Sequence, residues 1–143
     1  MPQAKRSIVI DRPIDEVFAF FTNAANDKKW RPAVKEIEPQ GPPAVGSTIH
    51  QIIAGPGGRR IPADIEVTGY EPTSLYAFKV TAGPVRPIGE YRFGLAHSGT
   101  EVTFSLSAQV TGLKKLFMSG PVQKSLDGEM QSLDTAKRLL ERG

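Results

Sequence analysis

Between residues 61 and 110 two stretches, 61–68 and 102–110, alternate apolar and polar side chains with a period of two. In "RRIPADIEVTGY", Ile61, Ala63, Ile65 and Val67 fall on one face, with Pro62, Asp64, Glu66 and Thr68 on the other. That spacing predicts one half-buried strand. "SLYAFKVTA", "IGEYRFGLA" and "TEVTFSLSAQV" follow, separated by "GPVRP" and "HSG", and such short links predict an antiparallel meander. Upstream, "AKRSIVID" predicts a first strand that stops at "DRP". Pro13 then suits the first turn of a helix, Asp15 and Glu16 suit its positive end, and Ile14, Val17, Phe18 and Phe21 recur at helical spacing. A short amphipathic helix is expected over 13–22, and "DKKW" predicts a second, closed by Pro32. "VKEIEP" and "STIHQIIA" read as further strands, and "GPGG" as a turn. The chain ends in a long helical pattern over 114–142, with Val122, Leu126, Met130, Leu133, Ala136 and Leu140 in one stripe. Pro121 marks an alternative start for that helix.

Composition narrows the function. The 143 residues are 39% hydrophobic and 23% charged, the size and balance of one soluble domain spanning 1–143. No apolar run approaches the roughly 20 residues of a membrane span. The N-terminus lacks the apolar core of a secretory signal, so a cytoplasmic location is expected. With no cysteine, disulfides, thiolate nucleophiles and zinc ribbons are excluded. Eighteen Lys and Arg against fifteen Asp and Glu give a net charge of +3, and the basic clusters lack the interleaved aromatics of a nucleic-acid binder, so no nucleic-acid partner is expected.

The order of strand, two short helices, an antiparallel meander and a long helix resembles the START-like helix-grip (SRPBCC) superfamily, nearest its polyketide cyclase/dehydrase-like group. "SIVIDRPIDEVFAFFTNAANDKKWRPAVKEI", "VGSTIHQ", "GYEPTSLYAFKV" and "YRFGLAHSGTEVTFSL" carry the resemblance through their order rather than through any one motif. It implies an α+β fold in which a curved antiparallel sheet of about seven strands, counted at typical strand length, grips the C-terminal helix. It also implies an apolar cavity between sheet and helix. Alternation would then turn Ile61, Ala63, Ile65 and Val67, Tyr91, Phe93 and Leu95, and the 102–110 face including Phe104 towards that cavity, with Leu126, Met130 and Leu133 from the helix. Met118 and Met130 are adaptable fillers. Phe18, Phe21 and Trp30 are expected to pack near the mouth, with Lys28, Lys29 and Arg31 facing water.

Candidate chemistry is sparse. His50 and His97 lack the spacing of a metal site, and no cofactor motif appears. "GPGGRR" lacks the phosphate-loop pattern and reads as a turn, while the serines lack a nucleophile elbow. His97 belongs to a hairpin turn. His50 sits in a strand whose facing the pattern leaves open; if inward, it is the best proton-transfer group. Asp64 and Glu66 face solvent on the alternation, and Glu90 and Arg92 form an exposed pair. Tyr76 and Tyr91, if inward, carry hydroxyls able to orient a ligand. The expected function is binding or transport of a small hydrophobic ligand such as a lipid, polyketide or aromatic compound, with a homodimer left open. The alternative is a cyclase/dehydratase-type enzyme in which Tyr91 or His50 moves a proton.

Overall fold

The computed structural model describes residues 2–109 and 114–143, with backbone alone at 56 and 114–118. Val110, at the end of the expected 102–110 face, and the Met118 side chain lie outside the described residues. The elements are β1 (Gln3–Ile10), α1 (Ile14–Thr22), α2 (Asp27–Trp30), β2 (Val34–Pro39), β3 (Thr48–Ala54), β4 (Arg60–Pro62), β5 (Ile65–Glu71), β6 (Leu75–Val80), β7 (Ile88–Ala96), β8 (Gly99–Ser107), α3 (Lys114–Gln131) and α4 (Leu133–Arg142). Seven strands form one antiparallel sheet in the order β1-β8-β7-β6-β5-β3-β2, and the short β4 adds to β3. β5 to β8 are the expected meander.

Two bulges, at Val34/Glu36 in β2 and Val67/Gly69 in β5, bend the strands that carry them, and the sheet curves into a half-barrel around α3. Residues 61–68, expected as one strand, divide into β4 and β5. The register does not slip across the break: Ile49 lies opposite Ile65 and Ile52 opposite Pro62. Between them one ladder bond survives, from the Ala63 N–H to the Gln51 carbonyl at 2.8 Å, and side chains take the remaining partners. The Gln51 backbone N–H donates to Asp64 Oδ1 at 3.1 Å, and its side-chain amide donates to the Ala63 carbonyl at 3.0 Å.

The C-terminal helix continues through Pro121. Its interruption falls eleven positions later, at Ser132, whose hydroxyl and backbone N–H both donate to the Gly128 carbonyl; such back-bonding bends helices. α3 and α4 cover the outer backbone of β1, which would otherwise be an open sheet edge. The Gln123 side chain accepts from the Gln3 N–H and donates to the Gln3 carbonyl, Lys137 Nζ donates to the Val9 carbonyl at 2.6 Å, and Glu141 accepts from the Asp11 N–H at 2.8 Å. Arg6 adds bonds to the Met130 carbonyl and to Asp134.

β7 and β8 join through a two-residue turn, His97–Ser98, with Ala96 opposite Gly99. Gly99 has φ +149°, and a Cβ there would stand 2.1 Å from the Ile10 carbonyl oxygen. That oxygen belongs to the backbone of β1 and cannot swing away. Gly99→Ala is therefore expected to destabilise the domain by about 1–3 kcal/mol, read as a lower urea midpoint.

Candidate functional site

The concave face of the sheet divides into two zones. At one end α1 and α2 press directly on the strands. Phe18 meets Phe93 edge-on at 5.1 Å between ring centroids, Phe21 meets Trp30 at 5.4 Å, and Tyr91 stacks on Phe104 at 4.3 Å. At the other end α3 stands off the sheet and leaves a cavity of about 160 Å³. Its walls come from Ile49 and Ile53 of β3, Ile65 of β5, Tyr76, Phe78 and Val80 of β6, and Tyr91 of β7. Phe104 and Leu106 of β8 and Val122 and Leu126 of α3 complete them. Ile61, Pro62, Pro84, Val85 and Pro87 border it.

Of the residues expected to face a cavity, Ile61, Ala63, Ile65, Tyr76, Tyr91, Phe104, Leu106 and Leu126 line this one. Phe21, Trp30, Val67, Phe93, Met130 and Leu133 are buried in the adjoining core instead. Both groups lie on the inner side of the sheet or helix. Leu95 is different: it shares the face of Tyr91 and Phe93 but lies at the hairpin end, beyond the helices, and is 82% exposed.

The wall is largely apolar, with Ser125 of α3 and the tyrosines Tyr76 and Tyr91 among its lining, and its charged groups gather at one corner, where Asp27, Arg31, Gln51 and Glu129 meet. Arg31 was expected to face water; it is buried with 9% exposure. Its Nε donates to Glu129 Oε1 at 2.9 Å and its Nη2 to Glu129 Oε2. Its Nη1 donates to Asp27 Oδ2 at 3.0 Å and to Gln51 Oε1 at 2.9 Å. One guanidinium thus ties α2 to α3 and β3, and its planar fork suits that geometry. Burial works against the Arg31 charge, but Glu129 and then Asp27 outweigh it and hold the guanidinium protonated.

Burial pushes the Asp27 carboxyl up to about 6, against the lowering effect of Arg31 and, least of all, of the Trp30 indole. Asp27 Oδ1 and Trp30 Nε1 are both buried, with no hydrogen-bond partner among the described residues. Burial first, and then the Asp27 charge, also raises the Tyr76 and Tyr91 phenols. At neutral pH both hydroxyls are therefore neutral. Neither forms a hydrogen bond among the described residues.

His50 lies on the outer face of β3 with its side chain 43% exposed and Nδ1 3.1 Å from Asp64 Oδ1. It is outside the cavity. Glu90 and Arg92 pair on the surface, as their shared face predicts, and His97 is exposed in its turn. Among the described residues no group of three or more His, Asp or Glu side chains is placed to hold a metal ion. No described helix is long and apolar enough to cross a membrane.

Residues 1–141 match the family described as polyketide cyclase / dehydrase and lipid transport. The chain belongs to that family. Its architecture is the helix-grip fold, and solved structures share it. TTHA0849 from Thermus thermophilus superposes with a TM-score of 0.81 at 16% identity, covering 97% of both chains. DR_A0006 from Deinococcus radiodurans gives 0.73 at 17% identity over 100% of this chain and 99% of the other. The di-domain ARO/CYC StfQ from the steffimycin biosynthetic pathway gives 0.78 at 14% identity, over 98% of this chain and 51% of the larger protein. At such identities the likeness extends to the fold alone. No curated protein sequence matches this chain. Family membership accords with ligand-binding or cyclase-type function without specifying a ligand.

Proposed function

We propose that this protein binds a small, largely apolar ligand between the sheet and α3, with a polar group of the ligand at the Arg31 corner. One observation carries the reading: a cavity of about 160 Å³ whose largely apolar wall is interrupted by one fixed polar cluster and bordered by Tyr76, Tyr91 and Ser125. Apolar burial supplies affinity and a few placed polar groups supply orientation, the usual division of labour in small-molecule pockets. The family description, which spans cyclases and lipid transport, supports the same site.

Mass spectrometry of the purified protein, first native and then after denaturing extraction, tests this reading. Recovery of a bound apolar compound supports it; no retained compound, together with no thermal shift from a panel of hydrophobic ligands, refutes it. A blocking variant sharpens the test. Ile53 is partly exposed and lines the cavity, so an indole at that position has a void to enter instead of a packed core to strain. Ile53→Trp is expected to weaken binding at least about tenfold, equivalent to about 1.4 kcal/mol of lost contact, with the unfolding midpoint held or raised. Calorimetry and urea denaturation measure the two effects.

A cyclase-type reaction in the same cavity is the second reading, favoured by Asp27. A carboxyl with a pKa of about 6 beside a largely apolar cavity has the proton affinity useful for acid-base work near neutral pH. Asp27 would take the role that sequence reasoning gave to His50. Tyr91, with its phenol held neutral, would act as a hydrogen-bond donor. Asp27→Asn should then abolish turnover of a polyketide-type substrate while ligand binding persists; unchanged turnover removes Asp27 from that role.

A further inference from the structure

The charges at the polar corner do not cancel. Asp27 and Glu129 set two carboxylates against the single guanidinium of Arg31, so the cluster carries one net negative charge when both are ionised. Most of its donors are already committed. Of the five N–H groups of an arginine, one on Nε and one on Nη2 go to Glu129, and both on Nη1 go to Asp27 and Gln51. The Gln51 amide is in turn bonded to the Ala63 carbonyl. Little of this positive charge is left for an incoming anion.

The tyrosines give an independent indication that something polar belongs here. Tyr91 is 3% exposed and Tyr76 5% exposed. Both line the cavity, and neither hydroxyl has a partner among the described residues. A tyrosine hydroxyl both donates and accepts, so each can bond a polar group of the ligand, and the charge of the cluster decides which group is tolerated. An anionic ligand would meet two penalties in the same place, loss of its hydration and repulsion by the cluster, both magnified where water is excluded.

Granting the ligand-binding reading above, we propose that this site selects ligands whose buried polar end is a neutral or cationic hydrogen-bond donor, an alcohol, phenol or ammonium, and rejects those ending in a free carboxylate. Three probes sharing one phenyl body separate the possibilities: 2-phenylethanol, 2-phenylethylamine and 3-phenylpropanoate, titrated calorimetrically into the full chain at neutral pH. The alcohol and amine are expected to bind at least about tenfold more tightly than the carboxylate, as Coulomb repulsion in a poorly hydrated site requires.

In Asp27→Asn the cluster becomes neutral, and the carboxylate should regain most of that deficit. Should that variant not fold, Glu129→Gln makes the same change in net charge from the other side of Arg31. Equal or tighter binding of the carboxylate by the unaltered protein overturns the proposed selectivity and leaves the cavity reading standing. If none of the three binds at millimolar concentration or shifts the melting temperature, the cavity reading falls for ligands of this size, and the selectivity falls with it. A carboxylate deficit that persists in both neutralised variants also overturns the proposal, because the discrimination then does not come from the cluster charge.

Discussion

Replacing Arg31 with methionine is expected to destabilise the fold by about 3–5 kcal/mol, the range for removing one partner of a buried ion pair. The cost arises chiefly from what remains. Asp27 and Glu129 would lose the group that offsets their desolvation, and Gln51 Oε1 would lose its donor. A methionine can fill the volume but supplies none of those bonds. Urea denaturation followed by Trp30 emission measures the loss. The contrast lies in a triple variant, Arg31→Met with Asp27→Leu and Glu129→Leu, which removes every charge together. Exchanging a whole buried ionic cluster for apolar side chains is often neutral or stabilising, so the triple variant should recover most of the stability. A loss below about 1 kcal/mol in Arg31→Met is the value of a solvated surface pair and would contradict the burial of this cluster.

The sequence carried the fold well because its information is local and periodic. Alternation in 61–68, 88–96 and 99–107 reports which side of a strand is apolar, and the short links leave few topologies. It carried the site less well. Period two assigns Val67 and Ile65 to one face alike, yet Val67 packs in the core and Ile65 borders the cavity. What separates them is where α1 and α2 land along the sheet, which no single strand encodes. Leu95 continues the inward face of Tyr91 and Phe93 past the point where anything covers it.

Arg31 was misplaced for a related reason. Beside Lys28 and Lys29 it looks like one more solvated cation, and its decisive partner, Glu129, lies 98 positions away. Two signals were nevertheless present. Asp27 and Arg31 stand at i, i+4 around the sole tryptophan, a spacing that pairs charges on one helix face. Gln51 interrupts the apolar run "IHQII", and Glu129 borders the apolar stripe at Met130; polar residues at such places need a buried partner. Trp30 itself is 1% exposed and wedged between Phe21, Tyr91 and Phe104, in the core behind the charged corner.

The same corner predicts an unusual pH dependence. Most carboxylates that gain partners on folding stabilise a protein above their unfolded pKa and lose that benefit in acid. Asp134, held down by its hydrogen bond to Arg6, and Glu141, held down by Lys137, are of this kind. Asp27 is the reverse. Its folded pKa, about 6, lies above the reference 3.8 because burial outweighs the help from Arg31, so between those values the folded chain keeps a proton that the unfolded chain has released. Stability from this group is complete below about pH 4 and declines through about pH 6, at about 1.4 kcal/mol per unit, a total near 3 kcal/mol.

Asp27→Asn cannot titrate, and so it isolates this contribution from that of the other carboxylates. The stability of the natural chain relative to the variant should fall by about 3 kcal/mol between about pH 4 and about pH 7, measured by urea unfolding at each pH. Trp30 supplies a second readout in the folded state, since its indole lies against the Asp27 carboxylate. Its emission should titrate with a midpoint of about 6, and that transition should vanish in Asp27→Asn. A stability difference that stays flat or rises over this range would mean that Arg31 fully compensates the burial of Asp27, leaving a permanently ionised carboxylate at the cavity wall.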